Sequence, residues 1–380
     1  MDLESGTSTF TRSDGKEATF DTGFTRRPES RVSRIQYSPT LHGVLITTTF
    51  GDEIALPLVT PANPAEVRDR PVVYLDQNQW SFLSRVDAGD SLSKPDEDQA
   101  ARQIIAWAND HSVVLPLSSG HSVEASEWRD DERRYRLGLT LMRRSAAWQM
   151  RHPLDIERDE LLTSLNAFLG RAFTPSPVFS CDPDSSMREQ ERGVFEFGDD
   201  LPDGYRAIFE SLLHLSVTFD LLTDAIPIDR QRSPRWREAQ QTFSDHLDTL
   251  EVTSNEKRKQ VLAFFISDIS HAIANAAATV EMSPGEFTEW IEGKLPGDLP
   301  HMPYLGLRFE FLVGKHANQG VRWFDNDLID MMYLCLAGAY ADLVVCESSA
   351  ASHIRQAQKR LGRPETAWSK FSAAVNSVDL

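Results

Sequence analysis

Four acidic residues stand at positions where carboxylates do chemistry in folded proteins. Asp76 ends the apolar run 72–75, and Glu347 follows a second apolar run in the same way. Glu124 and Asp330 fall in the first turns of predicted helices. An apolar run without alternation predicts a buried strand of a parallel sheet, and ligands of such sheets bind beyond the carboxyl ends of the strands. Carboxylates that gather there repel one another unless a hard cation neutralises them, and oxygen ligands select Mg²⁺ or Mn²⁺.

The elements that position these acids follow from the spacing of the apolar residues. Residues 72–75 and 343–346 predict two strands, and 112–117 predicts a third. Helical periodicity over 79–85 and 96–109 separates the first strand from 112–117. Two strands joined through helices are expected to run parallel, so their carboxyl ends lie at one edge of the sheet.

The remainder of the chain predicts a hairpin and a large helical block. Residues 44–50 and 53–59 are β-rich and flank Gly51-Asp52, which is typical of a hairpin turn. Residues 173–202 predict a long loop. Predicted helices cover 128–150, 155–171, 205–225, 234–250, 255–280, 284–292, 326–340 and 350–360. The predicted organisation is a flexible tail, a β hairpin region, the first part of an α/β domain, an α-helical insertion and the second part of that domain, over residues 1–31, 32–70, 71–127, 128–325 and 326–380.

Composition sets the broad class of the protein. With 41% apolar and 25% charged residues, the sequence predicts an ordinary soluble globular protein. No apolar run approaches 18 residues and the start lacks a signal-peptide pattern, so we expect a cytoplasmic protein with no membrane partner. Cys181, Cys335 and Cys346 share no metal-ligand or disulfide spacing. A net charge of −18 argues against non-specific binding to bulk nucleic acid.

The order of the four acids resembles the PIN-like family of metal-dependent nucleases. In that family an Asp ends the first strand, as in Val-Val-Tyr-Leu-Asp76, and a second acid lies in the helix after the second strand, as in Ser-Gly-His-Ser-Val-Glu124. A third opens an Ala- and Leu-rich helix, as in Asn-Asp-Leu-Ile-Asp330, and a fourth follows the next strand, as in Leu-Val-Val-Cys-Glu347. The resemblance covers residues 72–127 and 326–362. It departs from the family at the fourth acid, which is usually Asp after a Thr-rich strand end.

The resemblance implies a PIN-like parallel sheet flanked by helices, with a large all-α insertion and a small N-terminal β element. It implies phosphodiester hydrolysis at a carboxylate-bound Mg²⁺ or Mn²⁺ site, with RNA favoured over DNA, in RNA processing, as a toxin or in phage defence. Asp76, Glu124, Asp330 and Glu347 would be the metal-binding and catalytic residues. Residues that would support the metal ligands or orient a phosphate are Asn78, His121, Asp327, Arg129, Arg133 and Arg136.

Other functions stay open on the sequence. The chain is either an active nuclease, a catalytically inactive PIN-like module that binds a protein or a second copy through the helical insertion, or a phosphoesterase acting on small nucleotides. Each candidate residue also has a structural alternative. These are a helix cap for Asp76 and His121, a complement to a helix dipole for Asp327, Asp330 and Glu347, and a solvated helix face for Glu124 and the arginines.

Overall fold

The computed structural model describes residues 1–12, 14–22, 24–41, 43–57, 70–192, 195, 203–223 and 232–378. It is a mixed α/β structure with a small parallel sheet flanked by helices. The strands are β1 (Thr7–Thr11), β2 (Glu17–Asp21), β3 (Val32–Ser38), β4 (Gly43–Thr48), β5 (Glu53–Pro57), β6 (Val73–Leu75), β7 (Gln149–Met150), β8 (Phe179–Ser180), β9 (Leu343–Val345) and β10 (Ala367–Trp368). The α-helices are α1 (Gln77–Asp87), α2 (Pro95–Asn109), α3 (Ser119–Ala125), α4 (Asp131–Ser145), α5 (Pro153–Phe168), α6 (Asp203–Thr223), α7 (Arg232–Asp248), α8 (Ser254–Asp268), α9 (Ser270–Thr279), α10 (Pro284–Gly293), α11 (Leu295–Asp298), α12 (Pro303–His316), α13 (Asp327–Tyr340), α14 (Ser348–Arg360) and α15 (Phe371–Val375).

The described residues form two compact units. The first unit contains the described residues of Met1–Arg70, Trp80–Arg151 and Phe179–Ile228. The second unit contains the described residues of Pro71–Gln79, His152–Val178 and Asp229–Leu380. Residues 128–325, predicted as one helical insertion, are therefore shared between both units.

The amino-terminal residues differ from the predicted flexible tail. β1 and β2 pair antiparallel, with Thr7 opposite Asp21 and Thr11 opposite Glu17. The terminal ammonium of Met1 also donates to the carbonyl of Ile35, 2.8 Å away. The prediction rested on polar composition, but Thr is β-branched and suits a strand, and a terminus paired into a sheet is ordered.

The predicted hairpin is confirmed where the structure describes it. β4 and β5 pair antiparallel, with Ile46 opposite Ile54, and β3 lies on the other side of β4. Gly51 in the turn has φ of +86°, a conformation that glycine adopts without a Cβ clash. Residues 58–59 of the predicted second strand and the predicted linker 61–64 lie outside the described residues.

The parallel sheet belongs to the second unit and has the strand order β10-β9-β6. Val73 pairs with Leu343 and Leu75 with Val345, so two of the predicted strands are confirmed as parallel neighbours. The third prediction, residues 112–117, is wrong as a strand. This segment forms only isolated bridges, one of them between Leu117 and Gln149 in the first unit. Pro116 interrupts the run, since proline has no N–H to donate to a ladder.

The predicted helices are found at their predicted positions, but several of their ends differ from the prediction. The predicted helix 128–150 is shorter, because the Asp130 side chain caps α4 and Ala146 ends it in a left-handed conformation. The predicted helix 255–280 breaks at Ile269 into α8 and α9. The helix α12 lies within the block predicted as helical, although no separate helix was predicted there. The loop predicted for 173–202 contains β8 and a 3-10 turn, and its last part lies outside the described residues.

The helix α12 is the centre of the second unit and packs against α5, α8, α13 and α14. Its first turn is capped from α5, where the Glu160 carboxylate accepts the backbone N–H groups of Tyr304 (2.7 Å) and Leu305 (2.9 Å). Glu160 also accepts a hydrogen bond of 2.7 Å from the hydroxyl of Tyr340 at the end of α13. One buried carboxylate thus ties α5, α12 and α13 together, and so fixes the helix that carries Asp330.

A buried ion pair completes the packing of α12. The Arg308 guanidinium lies 2.6 Å from the carboxylate of Glu157 on α5 and 2.8 Å from that of Asp268 on α8. Arg308 and Glu157 are both almost fully buried. Removing one partner of such a pair leaves an uncompensated charge, so the pair constrains how the three helices pack.

Among the residues described, no single helix is both long and apolar enough to cross a membrane. The adjoining helices α8 and α9 pass that test only as a pair, with a bend of 59° between them.

Gly306 on α12 supplies a test of this packing. A Cβ at this position would lie 2.5 Å from the carbonyl oxygen of Leu299 and 3.3 Å from that of Pro300, and backbone atoms cannot swing away. We expect Gly306→Ala to lower the free energy of unfolding by about 1–3 kcal/mol, measured by urea denaturation.

Gly293→Ala is the matched control, because Gly293 is also helical and has open space where its Cβ would stand. This substitution is expected to raise the free energy of unfolding by about 0.5–1 kcal/mol. Similar effects of the two substitutions would contradict the close approach at Gly306.

Candidate functional site

Asp76 and Glu347 lie at the same edge of the parallel sheet. Each follows the carboxyl end of its strand, β6 or β9, and these strands are neighbours. The backbone N–H of Asp76 donates to the carbonyl of Val345 at 2.9 Å, which continues the ladder up to the acid itself. The register of the sheet therefore brings these two residues together, although they are far apart in the sequence.

The Asp76 carboxylate is held by backbone donors at the start of α1. It accepts the N–H of Gln77 at 2.9 Å and also the N–H of Glu347. Burial, together with the charge of Glu347, nevertheless raises the pKa of Asp76 to about 6. Desolvation outweighs the two hydrogen bonds, so this carboxyl group is more easily protonated than an ordinary aspartate.

Glu347 occupies the N-cap position of α14 but does not cap it. Its side chain makes no hydrogen bond to the helix and is exposed. Its Oε1 instead accepts the side-chain amide of Asn78 at 2.7 Å. Asn78, predicted to support the metal ligands, thus fixes the orientation of one of the acids.

Asp330 lies in the first turn of α13 and belongs to the same cluster of acids. Burial, and after it the charges of Asp76, Asp327 and Glu347, together raise its pKa to about 7. We name Asp76, Asp330 and Glu347 the acid cluster. A helix dipole alone would lower the pKa of Asp330, so complementing the dipole is not its dominant electrostatic relation.

Asp327 has a cationic partner inside the second unit. Its Oδ1 lies 2.6 Å from the Nζ of Lys315, whose side chain is 10% exposed, and its Oδ2 accepts the backbone N–H of Phe324. The Lys315 ammonium lies 4.2 Å from the ring centroid of Trp323. Its charge also lowers the pKa of Asp330 in part. Asp327 is therefore committed to an ion pair and a turn, whereas the acid cluster keeps its excess negative charge.

Lys315 is a residue of this region that the sequence did not reveal. It lies near the end of α12, for which no separate helix was predicted. His353 on α14 is a second such residue, since burial lowers its pKa and the charges of Lys315 and Asp327 also act on it. Cys346 directly precedes Glu347 in the chain. Burial and the charges of Asp76 and Asp330 raise the pKa of its thiol.

Glu124 and His121 lie on α3 in the first unit. His121 is buried and its Nδ1 accepts the backbone N–H of Ser118 at 3.1 Å, which closes a capping box at the start of α3. The structural alternative therefore accounts for His121. Glu124 is partly exposed on the same short helix, and its place beside the acid cluster stays a prediction.

The predicted arginine strip also lies in the first unit. Because α4 begins at Asp131, Arg129 precedes the helix and does not share a helical face with Arg133 and Arg136. Arg136 is paired with Glu132 on the surface, as expected for a solvated face. Arg133 instead lies against the ring of Trp128 and donates to the Ser81 hydroxyl.

The acid cluster fits a divalent metal in the chemistry of its donors. Its three side chains offer only carboxylate oxygens, which are the ligands that Mg²⁺ and Mn²⁺ prefer. Across the described part of the chain, no group of three or more His, Cys, Asp or Glu side chains has the arrangement to hold a metal ion. The donors are thus of the right type, and their side chains would have to converge on a cation.

Comparison with known proteins adds no relative. No protein-family model, no curated protein and no solved structure matches this chain. The PIN-like resemblance therefore rests on the residues of this sequence alone.

The raised pKa of Asp330 predicts a pH-dependent effect of Asp330→Asn. An aspartate whose pKa is raised from 3.8 to about 7 stabilises the fold fully below pH 3.8, and this contribution is lost as the pH rises through 7. The asparagine does not ionise. In EDTA, the variant should therefore match the wild type at acidic pH and exceed its free energy of unfolding by about 1–3 kcal/mol at pH 8.

Urea denaturation between pH 3.5 and 8.5 measures this difference. Asp327→Asn is the matched control on the same helix, because it leaves the buried Lys315 ammonium without its partner. That variant is expected to be less stable than the wild type at pH 8. An advantage of Asp330→Asn that does not grow with pH would contradict the desolvated, mutually repelling carboxylates.

Proposed function

We propose that this chain is a metal-dependent phosphodiester hydrolase of the PIN-like type, acting on RNA. The observation that carries the proposal is the acid cluster itself. Burial and mutual repulsion raise the pKa of Asp76 to about 6 and that of Asp330 to about 7 at the carboxyl edge of a parallel sheet. Such a cluster is unfavourable without a counter-ion, and strongly shifted carboxyl groups of this kind concentrate at functional sites.

Asp76 and Asp330 would hold the ion, with Glu347 as a further ligand and Glu124 added by the resemblance. The Mg²⁺ or Mn²⁺ supplies a Lewis acid for the phosphate and lowers the pKa of a bound water. The chain's own contribution is orientation. Backbone N–H groups fix the Asp76 carboxylate, and Asn78 fixes Glu347, so two donors are positioned in advance.

Lys315 keeps a positive charge beside the cluster. While it is paired with Asp327, the ammonium also lowers the pKa of Asp330. Its positive charge therefore offsets part of the negative charge of the acids in the absence of a ligand. A phosphate group entering this region would meet that cation together with the metal. Because the carboxylates outnumber this ammonium, an anionic substrate would be favoured only when the metal ion is bound.

The test uses Asp76→Asn, which keeps the shape of the side chain and removes one charge. Without metal the variant should be as stable as the wild type or more stable. A cation that binds only the folded state adds about 2.7 kcal/mol at one hundred times its dissociation constant, which raises the melting temperature of a chain of this size by a few degrees. We expect Mn²⁺ to raise the melting temperature of the wild type, to have much less effect on the variant, and to support cleavage of a single-stranded RNA oligonucleotide only by the wild type.

Asp342→Asn is the matched control. Asp342 accepts the N–H of Val72 at 2.7 Å, at the opposite end of the same strands, and asparagine can accept this bond as well. The Asp342→Asn variant should respond to Mn²⁺ and cleave RNA like the wild type.

An equal thermal shift in the wild type and Asp76→Asn would leave Asp76 a helix cap. Hydrolysis of bis(p-nitrophenyl) phosphate without cleavage of RNA would favour the phosphoesterase, and neither metal response nor hydrolysis would favour the inactive binding module.

A further inference from the structure

A cavity of about 470 Å³ opens in the first unit between α1 and α4. Its volume lies in the range of small-ligand sites in proteins. Its lining combines an aromatic ring, two serine hydroxyls and three arginines, namely Trp128, Ser81, Ser84, Arg85, Arg133 and Arg136. These are the groups that recognise a planar base and a phosphate.

Arg133 is the distinctive cation of this cavity. Its guanidinium lies over the ring of Trp128, 4.4 Å from the ring centroid, and donates to the Ser81 hydroxyl at 3.2 Å. Among the residues described, its guanidinium has no carboxylate partner. A planar guanidinium held on an aromatic face is positioned in advance to form a forked pair of hydrogen bonds with a phosphate.

The other two arginines are already compensated. Arg136 is paired with Glu132, and Arg85 lies 3.8 Å from Asp90. The cavity is also lined by Asp90, Asp130 and Glu132, so its three arginines face three carboxylates. Among the described residues, Arg133 is the one of these arginines without a carboxylate at ion-pair distance, so its guanidinium is available to a single phosphate group.

The serines provide the remaining polar contacts. The Ser84 hydroxyl accepts a hydrogen bond from Thr140 at 3.2 Å, so its own hydrogen remains free to donate. Ser81 accepts from Arg133 in the same manner and likewise keeps a donor. Two hydroxyl donors beside a guanidinium favour phosphate or ribose oxygens as ligands.

We propose that this cavity binds one nucleotide unit, with its phosphate on Arg133 and its base stacked on the Trp128–Arg133 pair. The choice of a nucleic-acid ligand rests on the proposed function, but binding requires neither the metal nor the acid cluster. Stacking on tryptophan or a guanidinium plane accepts any base, so the cavity would hold a strand or a free nucleotide without reading its sequence.

The experiment measures binding in EDTA, where no cleavage occurs. A fluorescein-labelled, unstructured ten-nucleotide RNA is titrated with the full chain at low salt, and fluorescence anisotropy gives the dissociation constant. We expect Arg133→Gln and Trp128→Leu each to weaken binding about tenfold, and Arg133→Lys to recover only part of the loss because it lacks the planar fork.

Two variants separate this cavity from general charge and from catalysis. Arg34→Gln removes an exposed arginine of β3 that is paired with Asp2, outside the cavity lining, and should bind like the wild type. Asp76→Asn should also bind like the wild type even if it no longer cleaves. Failure of the catalytic proposal therefore leaves this binding result unaffected, and the reverse also holds.

Competition then identifies the source of the nucleotide. Displacement of the labelled RNA by AMP, but not by adenosine or inorganic phosphate at the same concentration, indicates a site for a free nucleotide. Displacement by unlabelled RNA alone indicates a subsite for a strand. Undiminished binding by both Arg133→Gln and Trp128→Leu, or no binding by the wild type, overturns the proposal.

Discussion

The site of the second unit depends on the cost of burying negative charge at the end of a parallel sheet. Asp76 and Asp330 are each pushed towards the protonated state, chiefly by loss of water and then by their acidic neighbours. The backbone N–H groups at Asp76 and the ammonium of Lys315 offset only part of this cost. Keeping such groups side by side lowers the stability of the fold. This loss of stability is expected where carboxylates bind a ligand.

The surrounding packing is what prevents the acids from relaxing apart. Glu160 ties α5, α12 and α13 together, and the buried pair of Arg308 with Glu157 fixes the angle at which α12 crosses its neighbours. Asp330 cannot swing away without moving α13 from these contacts. The packing around the cluster thus depends on a second set of buried charged groups, which are hydrogen-bonded to one another or to backbone and hydroxyl donors.

The sequence predicted the local features well and the non-local ones poorly. The apolar runs before Asp76 and Glu347 identified two neighbouring strands, because a short apolar run without alternation is typical of a buried parallel strand. The pairing of Lys315 with Asp327 and the capping of α12 by Glu160 could not be foreseen, since each joins residues whose proximity exists only in the folded chain. Polar composition also misled at Thr7–Thr11, where strand pairing prevailed. Pro116 is a residue type that argues against a strand at 112–117. Asp130 is a residue type that caps helices, and it argues against a helix that includes Arg129.

The pairing of β6 with β9 also constrains how the protein is made. Val72 and Asp342, which meet at the start of these strands, are 270 residues apart in the chain. At roughly 5–20 residues per second, a ribosome needs about 15 to 55 seconds to supply the second strand after the first. During that interval the apolar segment of β6 has no sheet partner from β9, so it is a natural site for chaperone binding or early aggregation. The acid cluster, in turn, cannot assemble before Glu347 has been synthesised.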